Sequence, residues 1–169
     1  TDAGTTRAAM SELDLSSAAA DVAELYEPLA EERQVTLRLV PAAGVAVDGN
    51  RSLVAQALAN LVDNAIKYTP EGGSVSIRAD AGGNGVDLSV ADTGPGIPAD
   101  DRMRAVERFV RLEASRSSPG TGLGLSLVAA VAHFHGAVLV LEDNSPTGLK
   151  ERLHFPKSAM RMPLKNAAE

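Results

Sequence analysis

Cysteine and tryptophan are absent from the 169-residue chain. Without thiols there is no disulfide framework and no thiolate metal site, which fits a reducing compartment. Aromatic residues are only 3% of a chain that is 44% hydrophobic, so Leu, Val, Ile and Ala must build its core. No apolar run approaches the roughly 20 residues of a membrane span. Basic residues are outnumbered, 16 Lys and Arg against 22 Asp and Glu, for a formal net charge of −6. A non-specific nucleic-acid binder needs a basic surface, so that class is disfavoured. A polyphosphate ligand needs only a few local cations and stays open. The length suits one globular domain with a sizeable core. The chain opens Thr-Asp-Ala-Gly, with neither an initiator Met nor a charged leader, and reads as a fragment or a processed chain.

What is present is organised around residues 51–70, RSLVAQALANLVDNAIKYTP. Val54, Leu58, Leu61 and Ala65 recur at the spacing of one buried helical face. Asn60, Asn64 and Lys67 fall in another arc on its flank, with Tyr68 at the edge. An amphipathic core helix with a solvated polar side would explain the stretch taken alone. Before it, residues 1–14 are small and polar and read as a linker. Ser16 or Ser17 can cap a helix to about Arg33, with Val22, Leu25 and Leu29 on one face and Pro28 expected to kink it or remove a hydrogen bond. Thr36–Val40 alternates as a strand up to Pro41, and Val45–Val47 is at best a short one. Asp48 or Asn50 can cap the central helix, which Pro70, Gly72 and Gly73 end.

A hairpin follows, Val75–Ala79 and Val86–Val90 around the turn Ala-Gly-Gly-Asn-Gly at 81–85. Its second strand runs into Asp92. Pro98 opens a short helix to about Glu107, and residues 110–121 lack any apolar period and read as a mobile loop. A helix from Leu125 to about His135 ends at Gly136, and residues 137–141 and 150–155 read as a last strand pair. The tail from Pro156 has no pattern and is expected to fray. This order of elements predicts an α+β fold, a two-layer α/β sandwich with one sheet covered on one face by about three helices.

Two glycine-rich stretches carry the chemistry. Asp92 at the end of a buried strand must accept hydrogen bonds to be tolerated, and Gly94 and Gly96 let backbone approach a ligand closely. Such a carboxylate can accept from an exocyclic amine, as on adenine, or can cap its own turn. Gly120-Thr121-Gly122-Leu123-Gly124-Leu125 leads into a helix, where free N–H groups make an anion site. It is neither a GxxxxGK[ST] loop nor a dinucleotide fingerprint, which would follow a strand. Arg108, Arg111 and Arg116 are candidate phosphate-pairing cations.

Taken together, these stretches resemble the catalytic and ATP-binding domain of sensor histidine kinases, in the superfamily that includes the ATPases of gyrase, a heat-shock chaperone and mismatch repair. Asn60-Leu-Val-Asp-Asn64-Ala-Ile-Lys67-Tyr68-Thr resembles the N box and Asp92-Thr-Gly94-Pro-Gly96 the G1 box. Gly120–Leu125 resembles the G2 box, and Glu107-Arg108-Phe109 with Arg111 the F box. Boxes in matching order and spacing are far more specific than any one alone. The resemblance spans about residues 15–156. It implies a Bergerat-type ATP-binding fold with a mixed, mostly antiparallel sheet. Residues 1–14 would be a linker or the tail of an upstream dimerisation and phosphoacceptor hairpin, and 157–169 a C-terminal tail.

The resemblance further implies ATP and Mg²⁺ as cofactors. Asn64 would coordinate Mg²⁺ through its amide oxygen, Lys67 would reach a phosphate and Tyr68 would lie against the base. Asp92 would accept from the adenine amine, with Ile97 and Leu125 in the apolar pocket around it. Gly120–Gly124 would hold the phosphate chain under a lid of about residues 102–121, and Arg108 and Arg111 would meet the γ-phosphate or the acceptor domain. Asn60 stands where the superfamily's ATPases carry a catalytic glutamate. Val106 replaces the F box's earlier phenylalanine. The acceptor motif, histidine then an acidic residue then proline, fits none of His133, His135 and His154, which read as structural. Implied partners are the phosphoacceptor dimerisation domain of the same kinase and a response regulator receiver domain, with no nucleic acid and no direct membrane contact. The fragment is expected to be a cytoplasmic monomer, whether or not its parent kinase is membrane-anchored. Rival readings are a serine kinase acting on anti-sigma partners and a docking or adaptor module that has lost catalysis.

Overall fold

The computed structural model describes residues 10–40, 45–94, 124–145 and 147–161. Strand β1, Ser11–Asp14, leads directly into helix α1, Leu15–Glu32. The N-cap is Asp14 rather than Ser16 or Ser17: its Oδ1 accepts from the N–H groups of both serines, at 2.9 and 3.2 Å. The buried stripe of α1 is Leu15, Ala18, Ala19, Val22 and Ala30. Leu25 is 69% exposed, because at 100° per residue it falls just outside that arc. Pro28 does not end the helix, which continues to Glu32.

Strands β2, Thr36–Val40, and β3, Ala46–Gly49, precede α2, Arg51–Tyr68. Asn50 is the N-cap of α2, its Oδ1 accepting from Leu53 N–H at 3.0 Å. Val54, Ala57, Leu58, Leu61, Val62, Ala65 and Ile66 bury one face of α2, as the spacing predicts. The hairpin β4, Ser74–Gly82, and β5, Gly85–Asp92, pairs Gly82 with Gly85, so its turn is tighter than the sequence suggested. Helix α3, Gly124–Phe134, is followed by β6, Val138–Asp143, and β7, Leu149–Pro156.

Five strands form one sheet in the order β2-β4-β5-β7-β6, with β2 parallel to β4 and the remaining pairs antiparallel. The three helices cover one face, α2 packing between α1 and α3. Val75, Ile77, Val86, Leu88, Val90, Leu153 and Phe155 meet the apolar faces of the helices in one core. The other face of the sheet is polar. There Arg152 pairs with Glu142 at 3.0 Å and with Asp87 at 3.3 Å, and His154 Nδ1 meets Asp87 at 2.7 Å.

A second sheet was not anticipated. Residues 11–14 are not linker: β1 pairs antiparallel with β3. Residues 157–161 do not fray either. A 3-10 turn, Lys157–Ala159, leads into β8, Met160–Arg161, which pairs with the other edge of β3. The folded unit therefore extends beyond residues 15–156 at both ends. These strands are too short for alternation to reveal them, and their partners are distant in sequence.

Candidate nucleotide site

The last turn of α2 and the end of β5 meet. A Cβ on Gly94 would lie 2.8 Å from the carbonyl oxygen of Tyr68, so only glycine allows this approach. Thr93 N–H donates to Ser74 O at 3.1 Å, and Ser74 N–H donates to Thr93 Oγ1 at 3.0 Å. Thr69 Oγ1 donates to Ala65 O at 2.7 Å and closes the helix end.

Asp92 is 5% exposed. Its Oδ1 accepts from Gly94 N–H at 2.8 Å and from Leu149 N–H at 3.2 Å. Burial raises the pKa of this carboxyl, and the two N–H donors oppose the rise. The side chain thus caps its own turn, one of the two sequence readings, and among the described residues does so through Oδ1. The turn between β6 and β7 completes the frame, and nothing in the motifs pointed to it. Asn144 Nδ2 donates to Asp92 O at 2.8 Å, and Thr147 Oγ1 donates to Thr93 O at 3.3 Å. Gly148 has φ +109°, and a Cβ there would fall 1.8 Å from Asp92 O. Only the left-handed glycine lets this turn close over Asp92.

Along α2, Asn60 and Asn64 are half-buried one turn apart, and Asn60 Nδ2 donates to Gln56 O at 3.1 Å. Lys67 pairs with Asp63 at 2.8 Å on a half-exposed face. It would have to leave that partner to reach a phosphate, a modest cost for an exposed i,i+4 pair. Tyr68 is 64% exposed. Leu125, in the first turn of α3, is buried in the core cluster, and Gly124 begins that helix. Gly96, Ile97, Arg108, Arg111, Arg116, Gly120, Thr121, Gly122 and Leu123 lie outside the described residues, as do the expected short helix and the loop 110–121. The structure therefore brings together Asp92, Gly94 and the end of α2.

Two of the three histidines have structural surroundings. His135 is buried, with Nδ1 2.9 Å from Val131 O and Nε2 3.0 Å from Asn50 N. Asn50 N–H can only donate, so Nε2 accepts and Nδ1 carries the proton. The ring joins the end of α3 to the cap of α2. His154 is engaged by Asp87, and His133 is exposed.

The chain matches the family of histidine kinase-, DNA gyrase B-, and HSP90-like ATPases over residues 49–159. It is 35% identical to the sensor-like histidine kinase SenX3 of Mycolicibacterium smegmatis over 147 residues, 86% of this chain and 38% of that protein. The solved mycobacterial sensor histidine kinase MprB is 30% identical, with a TM-score of 0.71 over 91% of this chain and 99% of that one. Full-length ShkA in complex with AMPPNP is 30% identical, with a TM-score of 0.74 over 91% of this chain and 32% of that one. The chain thus spans about two fifths of SenX3 and nearly all of the MprB domain. By sequence match, fold and the joined Asp92 and α2 ends, it belongs to the histidine kinase-, gyrase B- and HSP90-like ATPase family, as the ATP-binding catalytic domain of a histidine protein kinase.

Proposed function

We propose that this domain binds Mg-ATP with the base against Asp92 and delivers the γ-phosphate to a histidine on a separate dimerisation domain. That histidine would then feed a response regulator receiver domain. The observation that carries the reading is Asp92 itself: buried at a strand end, with Oδ1 held by two backbone N–H groups. Its second oxygen would accept from the adenine amine. Tyr68 would lie against the base, and Ile97 and Leu125 would line the pocket.

Asn64 would hold Mg²⁺ through its amide oxygen. Among the described residues no three His, Cys, Asp or Glu side chains come together as a metal cage. An amide completed by phosphate and water oxygens suits a hard cation that keeps much of its own shell. Bound there, the ion would neutralise phosphate charge. Lys67 and the Gly96 and Gly120–Gly124 backbone, with Thr121 and Leu123 between the glycines, would position the phosphate chain, and Arg108, Arg111 and Arg116 would meet its far end. The histidine nitrogen would bond to Pγ as the Pγ–O bond to the β-phosphate breaks and ADP leaves. Positioning and charge neutralisation dominate such a transfer, so these residues need form no covalent bond of their own. Among the described residues no helix is long and apolar enough to cross a membrane. We place the domain on the cytoplasmic side, where ATP and a receiver domain are available.

The test is incubation with γ-labelled ATP, alone and with a dimerisation hairpin bearing histidine, acidic residue and proline in sequence. Label should appear on the hairpin, acid-labile, and not on this chain. Acid-labile label on this chain alone would contradict the assignment of its histidines as structural.

A further inference from the structure

Glu151 sits on β7 at a position where the pattern calls for an apolar side chain. Leu149, Leu153 and Phe155 share its face of the strand, and Glu151 itself is only 4% exposed. Its cross-strand partners are Val90 on β5 and Leu141 on β6. Asp92 lies two residues beyond Val90, on the same face of β5. The register therefore sets two buried carboxyl groups on adjacent strands, diagonally across the helix-covered face. They share a backbone connection, because the Leu149 N–H that holds Asp92 Oδ1 is two residues from Glu151 on β7.

We propose that Glu151 is a positioning residue for the base end of the nucleotide site, keeping Asp92 in its accepting geometry only while Glu151 carries its own proton. The inference rests on the nucleotide-site reading above. Burial disfavours the Glu151 carboxylate and the Asp92 charge adds to this, so the group is pushed up to about 8. Burial raises Asp92 as well, but its two N–H donors oppose the rise and favour its charged form, whereas Glu151 has the Asp92 charge against it. A second carboxylate in this apolar setting repels Asp92. Relief comes from moving the end of β7 or the Asp92 side chain, and either loosens the Leu149 contact.

Among the described residues, the other charged groups leave this pairing intact, and buried His135, edge-on to Phe155, is engaged by Val131 O and Asn50 N–H. Asp143 shares its face on β6 but is exposed at the strand end. Lys150, Arg152 and His154 on β7 alternate to the opposite face, with Asp87 of β5. Arg78 and Asp80 of β4 pair with each other on that same opposite face. From α2, Asp63 and Lys67 pair with one another. From α3, His133 is exposed, and Lys157 is exposed past the end of β7.

The experiment titrates a fluorescent ADP analogue with Mg²⁺ at pH 7, 8 and 9 into the unaltered chain, Glu151→Gln and Glu151→Leu. Carbon NMR of the glutamate carboxyls in the free chain accompanies it. Binding to the unaltered chain should weaken about tenfold from pH 7 to pH 9, the ratio of protonated fractions for a group titrating at about 8. Glu151→Gln, neutral and isosteric, should remove that loss, and a carboxyl signal titrating near 8 should vanish with it. The analogue's own titration is common to all three proteins and drops out. Equal pH profiles in the unaltered chain and Glu151→Gln would overturn the proposal while leaving the nucleotide site standing. Absence of binding at pH 7 in the unaltered chain would overturn both. If neither variant folds, the unaltered chain decides: affinity must fall in step with the carboxyl that titrates near 8, and affinity indifferent to it refutes the role.

Discussion

Asn60 shows how one atom type separates two chemistries. It lies one helical turn before Asn64 on α2, and its amide donates to Gln56 O. An amide cannot take a proton at neutral pH, so it cannot serve as a general base toward water. In the proposed transfer the partner's imidazole would be a nucleophile in its own right and would need less help. Asn60→Glu should therefore raise steady-state ATP hydrolysis about tenfold or more, since a placed base supplies ~100-fold or greater at best. Phosphate release at saturating Mg-ATP reads it, and rapid hydrolysis by the unaltered chain would contradict the role given to the amide. Glu151 makes a second residue-scale prediction. Its carboxyl stands at about 8 in the folded chain and nearer 4.5 unfolded, so the folded state binds more protons between those values. Its contribution is complete below about pH 4.5, falls by up to ~1.4 kcal/mol per pH unit, and is lost above about pH 8. Glu151→Leu should accordingly raise the thermal midpoint more at pH 9 than at pH 5. Asp92 was legible because glycines follow it at once, whereas Glu151 has no local signal except a charged residue in an apolar register.

At the scale of elements, the site is a junction of three ends: the C-terminus of α2, the end of β5 and the turn between β6 and β7. The first two were readable from the helical period, the alternation and the Asp92-Thr93-Gly94 run. The third was not, because Asn144, Thr147 and Gly148 look like ordinary turn residues until folding sets them on Asp92 and Thr93, more than 50 positions away. Gly148→Ala tests that turn. With φ +109° and a Cβ only 1.8 Å from Asp92 O, the substitution forces the turn to open. A loss of ~1 kcal/mol or more in stability is expected, together with a several-fold loss of nucleotide affinity. Urea unfolding and equilibrium titration measure the two. Unchanged affinity in a folded Gly148→Ala chain would remove the turn from the site.

For the whole molecule, the helix-covered five-stranded sheet followed from the order of elements and from apolar periods in α2, β4 and β5. The three-stranded sheet did not follow, since β1 and β3 have 4 residues each and β8 has 2, and each pairs with chain far away. Its effect is to fasten both ends of the domain to β3, next to the Asn50 cap that His135 ties to α3. Separately, the Thr93–Ser74 bonds and the close approach of Gly94 to Tyr68 O bring Asp92, the proposed purine-reading carboxylate, to the end of α2. The most direct test of that arrangement is calorimetric titration of ATP and GTP with Mg²⁺ into the unaltered chain and Asp92→Ala. A carboxylate aimed at an exocyclic amine discriminates against a carbonyl in its place, so ATP should bind at least about tenfold tighter than GTP. Asp92→Ala should erase the difference. GTP binding as tightly as ATP in the unaltered chain would contradict the role of Asp92 and with it the placement of the base.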